Sequence, residues 1–419
     1  MAIYQHYAPT QTSKLETFGV YMMEVLMSRR WFLCLMLTTV AHGQIEGNFT
    51  LPKLHFATGE PIWLTFAMTN TGTGTLYFNA GSMYSFCGGY RLEVTQGDPI
   101  QHPSCNTGVG GSCASGIHAF RGGERLTDKL LLNFDHDLSQ AGQYHIRATR
   151  YISTAATDDL ADIVHRTPTT LTNEFDIEVT DPDDALLKTQ LAPYVEQLKS
   201  PNEEVAQEAA RVLSTSAPAF LESTILAMLD RPSTQLFAIT GLKKINTLAA
   251  REALAKIARS GISNYSYEAD AAAKALSEMG DQEYFPLLEQ IAESKPPNQS
   301  GEAVRYAATL GGDDAIPWLA SKLRDPDPIV RGEVIWALAA TGSRRAVPML
   351  IDLLVSSDEH LPQAAEIALV QLTHRSVSPD KYSSGTPIVA HQSWLRWWAS
   401  HPDAPVYGPK SCGEIQPFT

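Results

Sequence analysis

The sequence predicts a multidomain β + α protein: a β-sandwich followed by an α-solenoid. The solenoid rests on two columns of residues in the second half. Val195, Leu226, Ile257, Leu288, Leu319 and Leu350 recur at a fixed interval of 31 residues, and Ala210, Gly241, Ala272, Ala303, Val334 and Ala365 repeat at the same interval with small or slim side chains only. A shared period of this length marks one supersecondary unit stacked repeatedly. The sandwich rests on a third observation. Residues 45–180 show short alternating runs broken by Gly, Pro and Asn turns, with no helical period. At 419 residues and 44% hydrophobic content the chain is long enough for more than one core.

Residues 1–43 read as an upstream extension and a signal peptide. Met27 is the better start, followed by the basic pair Arg29 and Arg30, an apolar run over 31–40, and the small residues Ala41 and Gly43 before Gln44. Cleavage is expected after Gly43. The run is too short to span ~30 Å of hydrocarbon, so no membrane span is expected once the signal is removed, with an uncleaved anchor as the alternative. Ser28-Arg29-Arg30-Trp31-Phe32-Leu33 also resembles the twin-arginine export motif, although only thirteen residues separate Arg30 from Gly43, which favours general secretion. The expected location is periplasmic or secreted.

In the sandwich, strands are predicted at 62–68, 76–78, 90–95, 129–134, 143–151 and 174–180. Four cysteines remain outside the signal: Cys87, Cys105, Cys113 and Cys412. An even count in an oxidising compartment reads as two disulfides, of open connectivity. Cys105, Cys113 and His118 can also be written as a zinc site, but the spacing is wrong for a knuckle and no metal is expected. The run Leu138-Ser139-Gln140-Ala141-Gly142-Gln143-Tyr144 resembles the tyrosine corner of immunoglobulin-like domains, with Tyr144 as its structural residue.

A polar, Pro-broken linker is expected at 181–185 and the solenoid at 186–373. Gly280, Gly311 and Gly342 end successive units, and Pro286, Pro317 and Pro348 follow at the same period, with Pro193 three periods earlier. A proline in a first helical turn loses no hydrogen bond. Pro286-Leu287-Leu288, Asp325-Pro326-Asp327-Pro328-Ile329-Val330-Arg331 and Ala337-Leu338-Ala339-Ala340-Thr341-Gly342 resemble HEAT repeats of the short phycobilisome-lyase-like type. The resemblance covers about six hairpin repeats of armadillo/HEAT type, strongest in the fourth to sixth. It implies a surface that binds other macromolecules, and a structural Arg331 bonding turn carbonyls or Asp327. Residues 374–419 contain Trp394, Trp397 and Trp398 at i, i+3, i+4, a stripe that reads as a cap over the open end of the solenoid or as a sugar- or peptide-binding face.

Charge and motif content exclude several functions. The net charge is −14, and the first 43 residues carry +1, leaving −15 on the remainder. Such a chain repels nucleic acid, so none is expected as a partner. No histidine lies between His165 and His360, which denies the repeats the imidazoles an iron hydroxylase of related architecture would need. Gly-x-Ser-x-Gly, His-Glu-x-x-His and phosphate-loop motifs are absent. Asp135-His136-Asp137 reads as a solvated turn, with an acid–base cluster as the alternative. No cofactor is implied and no enzyme is expected. One further column, Lys243, Lys274, Arg305 and Trp336, falls on the second helices 31 residues apart. Stacked repeats turn such a column into a ladder on one face, and Arg and Trp are favoured interface anchors. The alternative is a solvated face, since Glu302 stands three residues before Arg305. The expected function is an exported, non-catalytic adaptor or scaffold for a protein or peptide. The alternative is a protease inhibitor or ligand sensor acting through the disulfide-tied loop 103–116.

Overall fold

The computed structural model describes residues 45–79, 89–96, 116–264, 266–358, 360–377 and 387–408. The N-terminal region contains β1 (Ile45–Thr50), β2 (His55–Ala57), β3 (Trp63–Asn70), β4 (Leu76–Asn79), β5 (Tyr90–Gln96), β6 (Ile117–Phe120), β7 (Arg125–Leu131), α1 (Leu132–Asp135), β8 (Gly142–Ile152), β9 (Thr154–Ala155), α2 (Leu160–Val164) and β10 (Thr169–Thr180). They form three sheets, β1-β3-β7, β2-β10-β8-β5 and β6-β4-β9. All pairings are antiparallel except β2 with β10. Alternation drives the layering. Leu64 and Phe66 from β3 meet Ile146 from β8 and Ile177 from β10 in one core, each at most 1% exposed.

The expected strand over 129–134 is corrected. β7 stops at Leu131 because Asn133 is pinned to the 60–62 turn, accepting from the Ile62 amide (3.1 Å) and donating to the Glu60 carbonyl (3.0 Å). The chain turns there into α1. Strands β1, β2, β6 and β9 have no counterpart in the sequence reading, being too short or too weakly alternating to signal themselves.

The helical region is built of paired helices. The pairs are α3 (Asp184–Gln197) with α4 (Glu203–Ser216), α5 (Glu222–Ala227) with α6 (Gln235–Ile245), α7 (Leu248–Ser260) with α8 (Tyr267–Met279), α9 (Phe285–Ser294) with α10 (Pro297–Gly311), α11 (Ile316–Lys322) with α12 (Pro328–Ala340), and α13 (Ala346–Leu353) with α14 (Leu361–Thr373). A last helix, α15, spans Pro387–Ser400. Successive second helices pack on one another, which explains the small-residue column. A Cβ on Gly241 would lie 3.0 Å from the Ile225 side chain and 3.2 Å from the Ser214 backbone. Close approach of the helices demands slim side chains there.

Three further expectations are corrected. The linker is shorter than 181–185, because Asp183 caps α3 by accepting from the Ala185 and Leu186 amides. Pro193 therefore lies well inside α3, whereas Pro286 and Pro317 do sit in first turns. Gly280 and Gly342 take positive φ as helix ends require, but Gly311 does not: Gly312 does, at +52°. Gly311 serves packing instead, since a Cβ there would meet the Phe285 ring at 2.6 Å.

The sandwich is seated on the first repeats. Trp63 donates through Nε1 to the Tyr194 hydroxyl (3.2 Å), and Gln190 donates to the carboxylate of Glu60 (2.7 Å). The Arg211 guanidinium covers the rings of Trp63 and Phe134, each at 5.6 Å, and Phe134 contacts Phe237 at 6.4 Å between centroids.

Candidate functional site

The interior second helices α6, α8, α10 and α12 each have one side against their first helix and two against neighbouring second helices, leaving one face to solvent. Helical geometry puts residues separated by four, seven and eleven on that face. The ladder lies on it: Lys274 is exposed, and Lys243, Arg305 and Trp336 are half-buried.

Two ladder cations are already neutralised. Lys243 pairs with Glu278 of the next second helix at 2.6 Å, and Arg305 pairs with Glu302 of its own helix at 2.9 Å. Glu302 also accepts from the Tyr306 hydroxyl (2.9 Å), which lies 3.3 Å from Asp270. Burial first, and then the charge of Asp270 and Glu302, push that phenol well above its usual range, so it remains a donor. Lys274 has no hydrogen bond or ion pair among the described residues. The ladder is thus brought together on one face as a partly compensated row, with Lys274 and Trp336 as its uncommitted members.

The sequence reading missed a second row on the same face. Val205, Leu236, Tyr267 and Ile329 stand at the start of their second helices and are 37%, 36%, 51% and 49% exposed. Their spacing is again 31, interrupted at Asn298. Each lies seven residues, or two turns, before the ladder column. The same period carries the signal, but in the sequence an exposed apolar column looks like a buried one.

The remaining site residues fall in separate places. Arg331 donates to the carbonyls of Asp325 (2.8 Å) and Pro326 (3.0 Å) and pairs with Asp358 (2.6 Å). Its acidic partner is therefore Asp358 in the next repeat, while Asp327 caps α12 through the Ile329 amide (2.8 Å). The Tyr144 hydroxyl donates to the Gln140 carbonyl at 2.8 Å. Trp394 is fully buried, with Trp397 and Trp398 packed beside it. Asp135, His136 and Asp137 sit at the junction of sandwich and helices. Burial holds the His136 imidazole below its ordinary pKa, and Asp135 opposes this. His118 pairs with Glu124 at 3.4 Å. Cys87, Cys105, Cys113, Cys412, the signal segment and positions 103–115 of the loop lie outside the described residues. Among the described residues no helix is long and apolar enough to cross a membrane.

Comparison with known proteins gives residues 286–370 as HEAT repeats and residues 269–294 as a PBS lyase HEAT-like repeat. No curated protein matches the chain. Among solved structures, the native conformation of E. coli alpha-2-macroglobulin is 14% identical with a TM-score of 0.18, over 86% of this chain and 26% of that one. A Salmonella alpha-2-macroglobulin mutant is 13% identical with a TM-score of 0.18, over 84% and 27%. The chain thus spans about a quarter of the length of these proteins.

Proposed function

We propose that this HEAT-repeat protein is an exported, non-catalytic scaffold that holds a protein partner on the solvent face of its second helices. The observation that carries this reading is the free face itself. It presents Lys274 and Trp336, a cation and an indole whose chemistry suits an interface, while the other faces of those helices are consumed by packing. Solenoids of stacked repeats offer extended surfaces of this kind. The export assignment draws on the segment 27–43 and the four cysteines beyond it. The sandwich supplies a second contact or an attachment. Because Trp63, Glu60 and Phe134 seat it on the first repeats, a bound partner is held at a fixed orientation to it.

The test is a crosslinking capture from native extract, comparing the chain with a variant carrying Lys243→Ala, Lys274→Ala, Arg305→Ala and Trp336→Ala. The expected result is a protein identified by mass spectrometry with the parent chain and lost with the variant, at unchanged melting temperature. Equal capture by both would move the binding surface elsewhere.

A further inference from the structure

Two grooves between second helices compare position by position, because their members stand 31 residues apart. Between α8 and α10 the acids carry their own counter-charges. Arg305, three residues after Glu302, pairs with it at 2.9 Å, and the Tyr306 hydroxyl, four residues on, donates to it at 2.9 Å. Across that groove Asp270 pairs with Lys295 at 3.0 Å.

Between α10 and α12 the acid is kept and its partners are gone. Glu333 is the equivalent of Glu302, while Trp336 and Ala337 replace Arg305 and Tyr306. Glu333 is half-buried and has no hydrogen bond or ion pair among the described residues. Its carboxylate lies across the neighbouring helix: a Cβ on Gly301, the equivalent of Asp270, would collide with it. Gly332 beside it is open, with no atom outside its chain neighbours and the helix backbone within 4 Å of where a Cβ would stand. Trp336 follows one turn along, half-buried, with no ring or cation against its indole among the described residues. The ladder's adjacent cation, Arg305, is committed to Glu302. A carboxylate stripped of part of its water and left without a counter-ion favours a cation. An indole beside it adds attraction for a flat guanidinium.

Resting on the reading that this face binds a partner, we infer that Glu333, Trp336 and the bare backbone at Gly301 and Gly332 form a site for a guanidinium group. The ligand supplies to Glu333 what Arg305 supplies to Glu302 one repeat earlier. A guanidinium arrives on an arginine side chain of the partner or on a free small molecule, with the same chemistry at the site.

The test titrates N-acetyl-arginine amide into the full chain labelled with 5-fluorotryptophan, the Trp336 fluorine resonance being the one lost in Trp336→Phe. A saturable shift is expected, with none from N-acetyl-citrulline amide, which has the same shape without the charge. Glu333→Gln should weaken binding about tenfold or more. Gly301→Ala should weaken it too, because the new Cβ drives the carboxylate out of the groove. Its melting temperature should not fall, since alanine is the better helix former. The inference is overturned if the resonance does not move, if the citrulline probe moves it equally, or if Glu333→Gln binds as tightly as the parent. Capture from native extract separates this result from the scaffold reading. Probe binding together with a partner lost in Glu333→Gln assigns the guanidinium to that partner. Probe binding with equal capture by the parent and the four-alanine variant sinks the scaffold face and leaves a site for a free guanidinium compound. Capture lost in the four-alanine variant, with no probe binding, sinks this inference alone.

Discussion

The two ends of the solenoid are closed by different means. At the N-terminal end a folded domain does it, through the Trp63–Tyr194 and Glu60–Gln190 hydrogen bonds and the aromatic contacts of Phe134. These join residues more than a hundred positions apart. At the C-terminal end a single helix, α15, packs on α13 and inserts Trp394, which is fully buried. The chain that follows is tied back locally. Arg344 covers Trp398 at 4.4 Å and donates to the Pro402 and Ala404 carbonyls, the Tyr407 amide donates to the Leu372 carbonyl (2.8 Å), and Tyr407 stacks on His374 at 4.0 Å. One cap is polar and directional and fixes an orientation between domains. The other is apolar and mainly hides a core that the last repeat would leave open.

That contrast can be broken from either side. Trp394→Ala should cost about 3–5 kcal/mol, measured by urea unfolding, with hydrogen exchange accelerating in α13 and α14 before the sandwich is affected. Glu60→Ala should cost less, about 1–3 kcal/mol, because it removes the partner of Lys53 (2.6 Å), Gln190 and the Ala57 amide (3.0 Å). Its distinguishing mark would be a change in Trp63 fluorescence without loss of the later repeats. Equal loss at both ends in either variant would mean that the molecule unfolds as one unit, and the distinction between caps would fall.

Helix ends contribute smaller effects. Ala217 closes α4 at a φ of +38°, a conformation that penalises a Cβ by ~1–2 kcal/mol. Ala217→Gly should therefore stabilise by up to about 1 kcal/mol in a denaturant titration, since some of the gain is offset by lost backbone entropy. The smallest effect concerns the Arg331–Asp358 pair between the fifth and sixth repeats. The Arg331 hydrogen bond, and then the His360 amide, hold the Asp358 carboxyl below its ordinary pKa. A depressed folded-state pKa means that stability is present above the unfolded value of ~3.9 and is lost as pH falls through the folded one. The melting temperature should fall over that acid range, and Arg331→Ala should flatten the slope.

Much of this was legible beforehand. A period of 31 needs no tertiary information, because equivalent positions in stacked units meet equivalent neighbours, so the slim column of Ala210 and Gly241 announces close helix contact. The corner at Tyr144 was likewise visible, its partner Gln140 being four residues away. The neutralisation of Lys243 was not, because Glu278 belongs to the next repeat and the pair depends on how closely two helices approach. Nor was the role of Pro193, since a distant cap at Asp183 decided where α3 began.

Local pattern, then, determined the order of the parts: strands, hairpins, a tryptophan helix, and the period that stacks them. Those properties depend on neighbours in the chain or on translation by a fixed interval. Tertiary structure alone decided which apolar columns are covered. Val212 and Trp336 stand at equivalent positions of the first and fifth second helices, yet Val212 is fully buried in α4, on which α1 of the sandwich packs, and Trp336 is only half-buried. Burial of a helix face is set by what docks on it, and no spacing within the helix records that.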